Sequence, residues 1–190
     1  YRKSADVRRA QSYREQVREK CREKYGELLE TIMEYLRREN HPNLFVHSNG
    51  LVYSHGFDKA ITWMNSTANG RPVINRTGYV VEFNALWYNA LRFTADLLGE
   101  KESTVLTEEL NELAEKTGKS FVETFLNEHG YLLDYVDGHM MDWSVRPNMI
   151  FAAAFDYSPL DTRQKKGIVD ICTKELLTPK GLRSLSPKSG

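Results

Sequence analysis

The chain has 190 residues, a length typical of one domain, and its 26 lysine and arginine residues balance its 26 aspartate and glutamate residues. Because the net charge is zero, the basic excess typical of nucleic-acid-binding proteins is missing, and no nucleic-acid partner is expected. The longest apolar run, Met149 to Phe155, is too short to cross a bilayer, so no membrane partner is expected. Cys21 and Cys172 lie far apart without metal-ligand spacing, which favours a reducing compartment, and the predicted location is cytoplasmic.

The first predicted element is a long helix over residues 4–39. Apolar residues recur there at spacings of three and four, and Arg, Lys and Glu occupy the remaining positions. We expect a peripheral amphipathic helix that buries one face. A glycine-punctuated loop with short β-like runs follows it, and the next helix, apolar on nearly every side, is predicted from Val81 to Leu98.

The second half of the chain repeats this alternation of helix and long loop. A third helix is predicted from an N-cap at Thr107 to about Leu126, and the last from Thr162 to Leu177. Between them lies a loop rich in acidic and aromatic residues, 127–148. Long loops inside a compact domain are usually functional. The sequence therefore predicts an all-α fold whose long loops hold the functional groups and can carry short β-hairpins.

Polar residues on the apolar helix are the first candidates for a site. Glu82, Asn84 and Asn89 lie among its apolar residues, and burying an amide without a partner costs about 1 to 3 kcal/mol. One interpretation is that the backbone of neighbouring loops satisfies these groups and so holds the loops in place. The other is that the helix faces a cleft in which sugar hydroxyls satisfy them.

The density of aromatic residues favours the second interpretation. Flat rings suit the C–H faces of pyranose sugars, and seven of them lie in or beside the two long loops: Trp63, Tyr79, Trp87, Tyr88, Tyr131, Tyr135 and Trp143. The loops also carry the carboxylates of Asp58, Asp134, Asp137 and Asp142. Inverting glycoside hydrolysis uses two carboxyl groups about 6.5 to 9.5 Å apart, but the residues alone do not select the pair. No metal-binding, phosphate-binding or serine-nucleophile motif is present, so no metal or cofactor is expected.

Several segments in the same order carry a resemblance to a known family. They read "TWMN", "NGRPV", "RTGYVVEFNALWYNAL", "DYVDG", "RPN", "SPL" and "LLTPKGLRSLSP". Together, over about Phe57 to Pro187, they resemble the C-terminal amylo-α-1,6-glucosidase domain of glycogen debranching enzymes. The resemblance implies part of an (α/α)6 toroid of the six-hairpin glycosidase type. It also implies a branched α-glucan, glycogen or limit dextrin, as substrate, hydrolysed with inversion at α-1,6-linked glucose without a cofactor.

The resemblance also assigns roles to particular residues. Trp63, Trp87 and Tyr88 are expected to border the glucosyl unit. Five polar residues are expected to bind hydroxyls or orient carboxylates: Arg76, Glu82, Asn84, Arg146 and Asn148.

One position departs from the family pattern. Where the "TWMD"-type motif supplies the general acid, this chain has Asn65. A side-chain amide cannot donate a proton to the leaving group as a carboxylic acid can. We therefore expect either another proton donor, with Asp58 and Asp142 as candidate substitutes, or a loss of hydrolytic activity.

The resemblance implies an incomplete glucosidase domain over residues 1–190, with the peripheral helix at 1–40 and a segment of the catalytic barrel at 41–190. Closing six helical hairpins takes about twelve helices, and the pattern predicts about four to six. The family's general base lies beyond the last shared motif. The expected partner is therefore the remainder of the same polypeptide, and the isolated chain is expected to be an inactive glycoside hydrolase.

Two alternatives remain at this stage. The asparagine at position 65 is compatible with a non-catalytic glycan-binding relative. An apolar helix among long loops is also compatible with a helical scaffold that contacts protein alone.

Overall fold

The computed structural model describes residues 2–56, 59–99 and 104–189. The five α-helices of these residues are α1 Arg2–Arg37, α2 Val81–Gly99, α3 Val105–Phe125, α4 Ile150–Ala154 and α5 Thr162–Leu176. The helices predicted near 4–39, 81–98, 107–126 and 162–177 are therefore confirmed. Among the described residues, no helix combines the length and apolarity needed to cross a membrane.

The described residues contain nine short strands, seven in the two long loops and two after α5. These are β1 Leu44–Val46, β2 Val52–Ser54, β3 Thr67–Ala68, β4 Arg71–Pro72, β5 Gly78–Val80, β6 Tyr135–Asp137, β7 Met140–Met141, β8 Leu177–Thr178 and β9 Gly181–Leu182. Hairpins β3–β4 and β8–β9 form two separate two-stranded sheets, with β3–β4 inside the first long loop, as expected, and β8–β9 after α5. The other five strands form one antiparallel sheet in the order β1-β2-β5-β6-β7.

That five-stranded sheet joins the two long loops, which the sequence did not predict. Tyr79 of β5 pairs with Val136 of β6, so the first loop is hydrogen-bonded to the second. Gly78 makes the approach possible, since a Cβ there would lie 2.4 Å from the carbonyl oxygen of Val136. Its φ of 118° also favours glycine. The sheet therefore fixes the residues that flank β5 and β6 relative to one another.

Helix α2 lies at the centre of the molecule because it follows β5 directly and packs against α1, α3 and α4. Its closest neighbour is α3. Gly118 of α3 is needed at this crossing, since a Cβ on it would lie 2.9 Å from the ring of Tyr88 on α2. The glycine that weakens the middle of α3 in the sequence therefore permits close helix packing.

The predicted N-cap of α3 at Thr107 is wrong. Thr104 is the cap, and its hydroxyl accepts a hydrogen bond from the backbone N–H of Thr107 at 3.2 Å. In return the Thr107 hydroxyl accepts from the backbone N–H of Thr104 at 2.8 Å. The two threonines belong to one capping box, in which Thr107 is the inner member and Thr104 the cap.

The apolar core has two parts, one on each side of α2. The first packs α3 against the sheet, α4 and α5, and includes Phe121, Phe125, Leu132, Met149 and Ile168. The second packs α2 against α1 and α3, and includes Met33, Trp87, Leu91, Leu110 and Ala114.

Helix α1 forms as predicted, but the expected burial of its apolar face is wrong for most of the described residues. Met33 is buried, and Gly26 lies against Leu98 of α2. Six other large apolar residues of the helix are exposed: Tyr13, Val17, Tyr25, Leu28, Ile32 and Tyr35. The periodicity identified the helix correctly, but it does not identify which side of a helix meets the core.

Candidate functional site

A buried ion-pair network lies where the two loops meet. Arg76 lies two residues before β5, Glu82 is in the first turn of α2, and Asp134 immediately precedes β6. The β5–β6 pairing brings these three segments together. All three residues are almost inaccessible to solvent, at 2%, 3% and 1% exposure respectively.

The guanidinium of Arg76 contacts both carboxylates. It donates to Glu82 in a two-pronged arrangement, from Nη1 to Oε1 and from Nη2 to Oε2, the latter at 2.7 Å. Its Nε lies 3.0 Å from Oδ2 of Asp134, and its Nη2 donates to the backbone carbonyl of Asp134 at 3.3 Å. The fork of donors in arginine matches carboxylate geometry in a way that lysine cannot reproduce.

Two further residues complete the surroundings of Asp134. The amide nitrogen of Asn148 donates to its Oδ1 at 2.6 Å, and Nε of Arg146 lies 3.7 Å from its Oδ2. The amide oxygen of Asn148 in turn accepts from the indole Nε1 of Trp63 at 2.9 Å. We call these six residues the arginine-carboxylate network: Trp63, Arg76, Glu82, Asp134, Arg146 and Asn148.

The charges inside the network balance, since two arginines face two carboxylates. Burial raises the pKa of Asp134 to about 6, although Arg76 and the hydrogen bond from Asn148 act to lower it. Burial lowers the pKa of Arg76, but Glu82 and Asp134 outweigh this effect, so the pKa of Arg76 is raised overall. A carboxyl group with a pKa near 6 can change protonation state close to neutral pH.

Some hydrogen-bonding capacity within the network is unused. The Nε of Arg76, Oδ2 of Asp134 and Nε of Arg146 are buried and lie within ion-pair distance, but their geometry is not that of a hydrogen bond. Buried polar groups normally satisfy this capacity, and exceptions often mark a functional position. The exceptions here gather around one oxygen atom of Asp134.

Arg146 also lines a cavity of about 560 Å³ beside the network. The other lining residues include two aromatic rings and four polar groups: Tyr131, Trp143, Asp142, Glu175, Ser186 and Lys188. Hydrogen bonds from Lys188 and Ser186 lower the pKa of Glu175. The volume is within the range of small-molecule sites, and aromatic rings beside charged and hydroxyl groups suit a polar ring-shaped ligand.

The segments after Trp143 enclose one side of this cavity. The backbone N–H of Ser186 donates to the carbonyl of Val145 at 3.0 Å, and the hydroxyl of Ser189 accepts from the N–H of Val145 at 3.1 Å. Arg146 donates from Nη1 to the carbonyl of Ser184 at 3.4 Å. The "LRSLSP" motif therefore forms a wall of the cavity.

The structure brings together five of the predicted site residues. Trp63, Arg76, Glu82, Arg146 and Asn148 all belong to the network. Asp134 is one of four loop carboxylates that the sequence alone does not distinguish from one another. Its position in "LLDYV", where a charged residue interrupts an apolar β-like run, is the signal that could have identified it.

Asn84 lies apart from the network and is hydrogen-bonded to the backbone of neighbouring strands. Its amide bonds the backbone N–H and carbonyl of Val52 at 2.7 and 3.0 Å and the carbonyl of Val80 at 3.0 Å. These contacts are those of the first interpretation, in which a buried amide holds loop backbone in place. Asn89 accepts a hydrogen bond from the backbone N–H of Tyr157 at 3.3 Å, a contact of the same kind. A direct role of Asn84 in binding a ligand stays a prediction.

The two aromatic candidates on α2, Trp87 and Tyr88, also contribute to the packing of the core. Trp87 is buried in the second core, and its indole donates to the carbonyl of Gly50 at 3.1 Å. Tyr88 is half-buried against Gly118.

The predicted general-acid position and its two candidate substitutes have different surroundings. Asn65 is exposed, two residues beyond Trp63, which is itself 53% exposed. Asp142 is half-buried in the cavity wall, its Oδ1 accepts from the N–H of Ser144 at 2.8 Å, and its carbonyl accepts from the N–H of Asp134 at 2.9 Å. Asp58 lies outside the described residues. In the described part of the chain, no group of His, Cys, Asp and Glu residues is arranged to hold a metal ion.

Fold and site together define a helical domain whose charged and aromatic groups converge from two loops joined by a small sheet. The chain belongs to the amylo-alpha-1,6-glucosidase family, because the model of that family matches residues 7–190. This finding confirms the resemblance to the corresponding domain of glycogen debranching enzymes. A search of curated proteins found no match to the chain.

Proposed function

We propose that this chain is part of a glucosidase domain that binds branched α-glucan and, in the complete domain, hydrolyses α-1,6-linked glucose with inversion. The main support for this proposal is the arginine-carboxylate network. It connects the exposed indole of Trp63 to the wall of the cavity, through Asn148, Asp134 and Arg146 in turn. Membership of the amylo-alpha-1,6-glucosidase family supports the choice of substrate.

The network supports this function by holding the binding groups rigidly. A ring that stacks on a sugar gains more when its orientation is fixed beforehand, because less freedom is lost on binding. Trp63 is fixed at its polar edge by Asn148 while about half of its surface, 53%, remains exposed. Tyr131 and Trp143 border the cavity on the side of Arg146 and provide further apolar surface for glucosyl units.

The "TWMN" motif suggests that Asn65 takes the place that faces the glycosidic oxygen. An amide cannot protonate a leaving group, so hydrolysis needs a carboxyl group from elsewhere. Asp142 lines the cavity and is a candidate for this role, as is Asp58. Water activation needs a second carboxylate. We place it in the further polypeptide that completes the toroid, since the ring takes about twelve helices and the described residues contribute five α-helices. The chain by itself is then inactive.

Glucan binding by the chain tests the first part of this proposal. Isothermal titration with a limit dextrin should show binding, and Trp63→Ala should weaken it roughly fivefold, which corresponds to about 1 kcal/mol of lost stacking. Tyr13→Ala is the matched control, because Tyr13 is an exposed aromatic residue on α1, outside the network and the cavity. Equal loss in both variants, or no binding by the wild-type chain, would contradict the proposal.

A second candidate function, a glucan-binding relative without hydrolysis, is favoured by one observation, the amide at position 65. Release of free glucose from limit dextrin by the complete polypeptide separates the two candidates. If the wild-type polypeptide binds glucan without releasing glucose and Asn65→Asp releases it, the non-catalytic candidate is correct. Glucose release by the wild type, abolished in Asp142→Asn, would instead support Asp142 as the substitute acid.

A further inference from the structure

Trp63 and Asp134 are connected through a single buried amide. The indole Nε1 of Trp63 donates to Oδ1 of Asn148 at 2.9 Å, and Nδ2 of the same amide donates to Oδ1 of Asp134 at 2.6 Å. We propose that Asp134 is a positioning residue for Trp63: its carboxylate orients the Asn148 amide, and the amide oxygen fixes the indole beside position 65. The value of this for sugar binding rests on the proposed function.

The argument begins with the polarity of the three groups. An indole N–H can donate but not accept, and an ionised carboxylate can accept but not donate. Asn148 must therefore turn its oxygen to Trp63 and its nitrogen to Asp134. With the amide reversed, its nitrogen would face the indole donor and its oxygen would face the carboxylate, so both bonds would be lost. The pair of end groups thus selects one amide orientation.

Burial prevents water from replacing either end group. Asn148 and Asp134 are each 1% exposed, so the amide has little access to solvent partners. Its nitrogen also lies 3.5 Å from the sulfur of Met64, a weaker acceptor than a carboxylate. Without the Asp134 charge, the preference for one amide orientation is therefore reduced, and the acceptor for Trp63 is no longer fixed.

Asp134 is itself held from several directions. Its backbone N–H donates to the carbonyl of Asp142, and its own carbonyl accepts from Val81 at 3.1 Å. Arg76 and Arg146 face its Oδ2 from the first loop and from the segment before Asn148. The carboxylate therefore has a fixed position from which to orient the amide.

Both oxygens of Asp134 face donors, and this makes the orientation sensitive to protonation. Oδ1 faces Asn148, and Oδ2 faces the two arginine Nε groups. A proton on either oxygen would meet a donor, so protonation must weaken one of these contacts. The charged groups that act on Asp134 are Arg76, Arg146, Glu82 and Asp142, and burial raises its pKa to about 6.

The indole N–H resonances of the three tryptophans test this inference without a ligand. Trp63→Phe assigns the Trp63 resonance, and Asn148→Ala shows where it lies when the chain of bonds is broken. In Asp134→Asn we expect the resonance to make most of that shift. The Trp87 resonance should stay in place, because its indole donates to the carbonyl of Gly50 in the second core. A Trp63 resonance at its wild-type position in Asp134→Asn would overturn the inference.

A pH titration decides the question if Asp134→Asn fails to fold, which loss of the Trp87 resonance would reveal. Between about pH 7.5 and 5, the wild-type Trp63 resonance should shift as Asp134 becomes protonated. Asn148→Ala should lack this component while retaining every other ionisable group of the chain. Identical titrations in both proteins would overturn the inference. Neither measurement contains glucan, so a failure to bind glucan would count against the proposed function alone.

Discussion

Arg76 carries a full charge at a position where 2% of its surface is exposed, and the carboxylates of Glu82 and Asp134 compensate it. Removing one partner of a buried ion pair leaves the others desolvated and unpaired, which costs about 3 to 5 kcal/mol. We therefore expect Arg76→Met to lower the free energy of unfolding by about that amount, measured by urea denaturation.

The control for this prediction is Arg38→Met, at the residue that follows the end of α1. Arg38 also pairs with a glutamate, Glu34, but 73% of its side chain is exposed. Exposed pairs contribute little, so the change should stay within about 0.5 kcal/mol. Similar losses in both variants would show that the Arg76 pairs contribute no more than a surface contact.

Asp134 makes stability depend on pH in a direction opposite to most aspartates. Its pKa rises from the ordinary aspartate value of 3.8 to about 6 in the folded chain, so the folded state holds the proton more tightly than the unfolded state. The stabilisation from this group is complete below about pH 4 and is lost as the pH rises through about 6.

Urea unfolding at a series of pH values measures this dependence. Relative to Asp134→Asn, the free energy of unfolding of the wild type should fall between about pH 4 and 6, by at most about 1.4 kcal/mol per pH unit. Above that window the difference should be constant. A difference that is flat across this window and rises with pH only below about pH 4 would mean that the two arginines outweigh burial and lower the pKa of Asp134.

Five of the six network residues could be named from the sequence, because they lie in motifs shared with the family, Arg76 and Glu82 in a long one and Trp63, Arg146 and Asn148 in short ones. Their partners could not. A motif does not state which side chain contacts which, and Asn84, which shares a motif with Glu82, bonds the backbone of Val52 and Val80 instead of the network. Asp134 was one of several loop carboxylates until the β5–β6 pairing distinguished it.

At the scale of elements, the β5–β6 pairing depends on one glycine. Gly78 has a positive φ, and a Cβ on it would lie 2.4 Å from the backbone oxygen of Val136, which cannot move without breaking the pairing. We expect Gly78→Ala to lower the melting temperature and to weaken glucan binding, because the two loops would separate.

Gly70→Ala is the matched control, because it introduces backbone strain without a steric clash between the new Cβ and a neighbouring atom. Gly70 also has a positive φ, of 75°, but nothing lies within 4 Å of a Cβ there. This change should cost about 1 kcal/mol, the usual penalty for a non-glycine residue in the left-handed region. Gly78→Ala should cost clearly more. Equal melting temperatures for the two variants would show that the contact with Val136 adds nothing to the strain.

Helices were predictable from the sequence because their apolar spacing persists over many residues, and four were located closely. The sheet was not, because each of its strands has two or three residues, too few to show an alternating pattern. The partners β5 and β6 also lie in different loops, with α2 and α3 between them. Such pairing depends on tertiary packing, which local sequence does not encode.

At the scale of the whole molecule, α1 leaves an apolar stripe uncovered. Salt bridges from Arg18 to Asp96 and from Arg37 to Glu109 attach one side of the helix to α2 and α3. Six large apolar residues remain exposed on the helix, among them Leu28 at 54% and Ile32 at 43%. Contiguous exposed apolar surface favours association, because contact removes it from water.

We therefore expect the chain to associate as its concentration rises, and Leu28→Gln combined with Ile32→Gln to reduce this association. Each leucine or isoleucine side chain that contact removes from water contributes about 1.5 to 3 kcal/mol when fully buried, and less when it was already partly covered. Sedimentation velocity over a range of concentrations measures the effect. Glu23→Gln, on an exposed polar position of the same helix, should associate as the wild type does. If the wild type stays monomeric throughout, or if the double variant associates as strongly, the stripe is not an association surface.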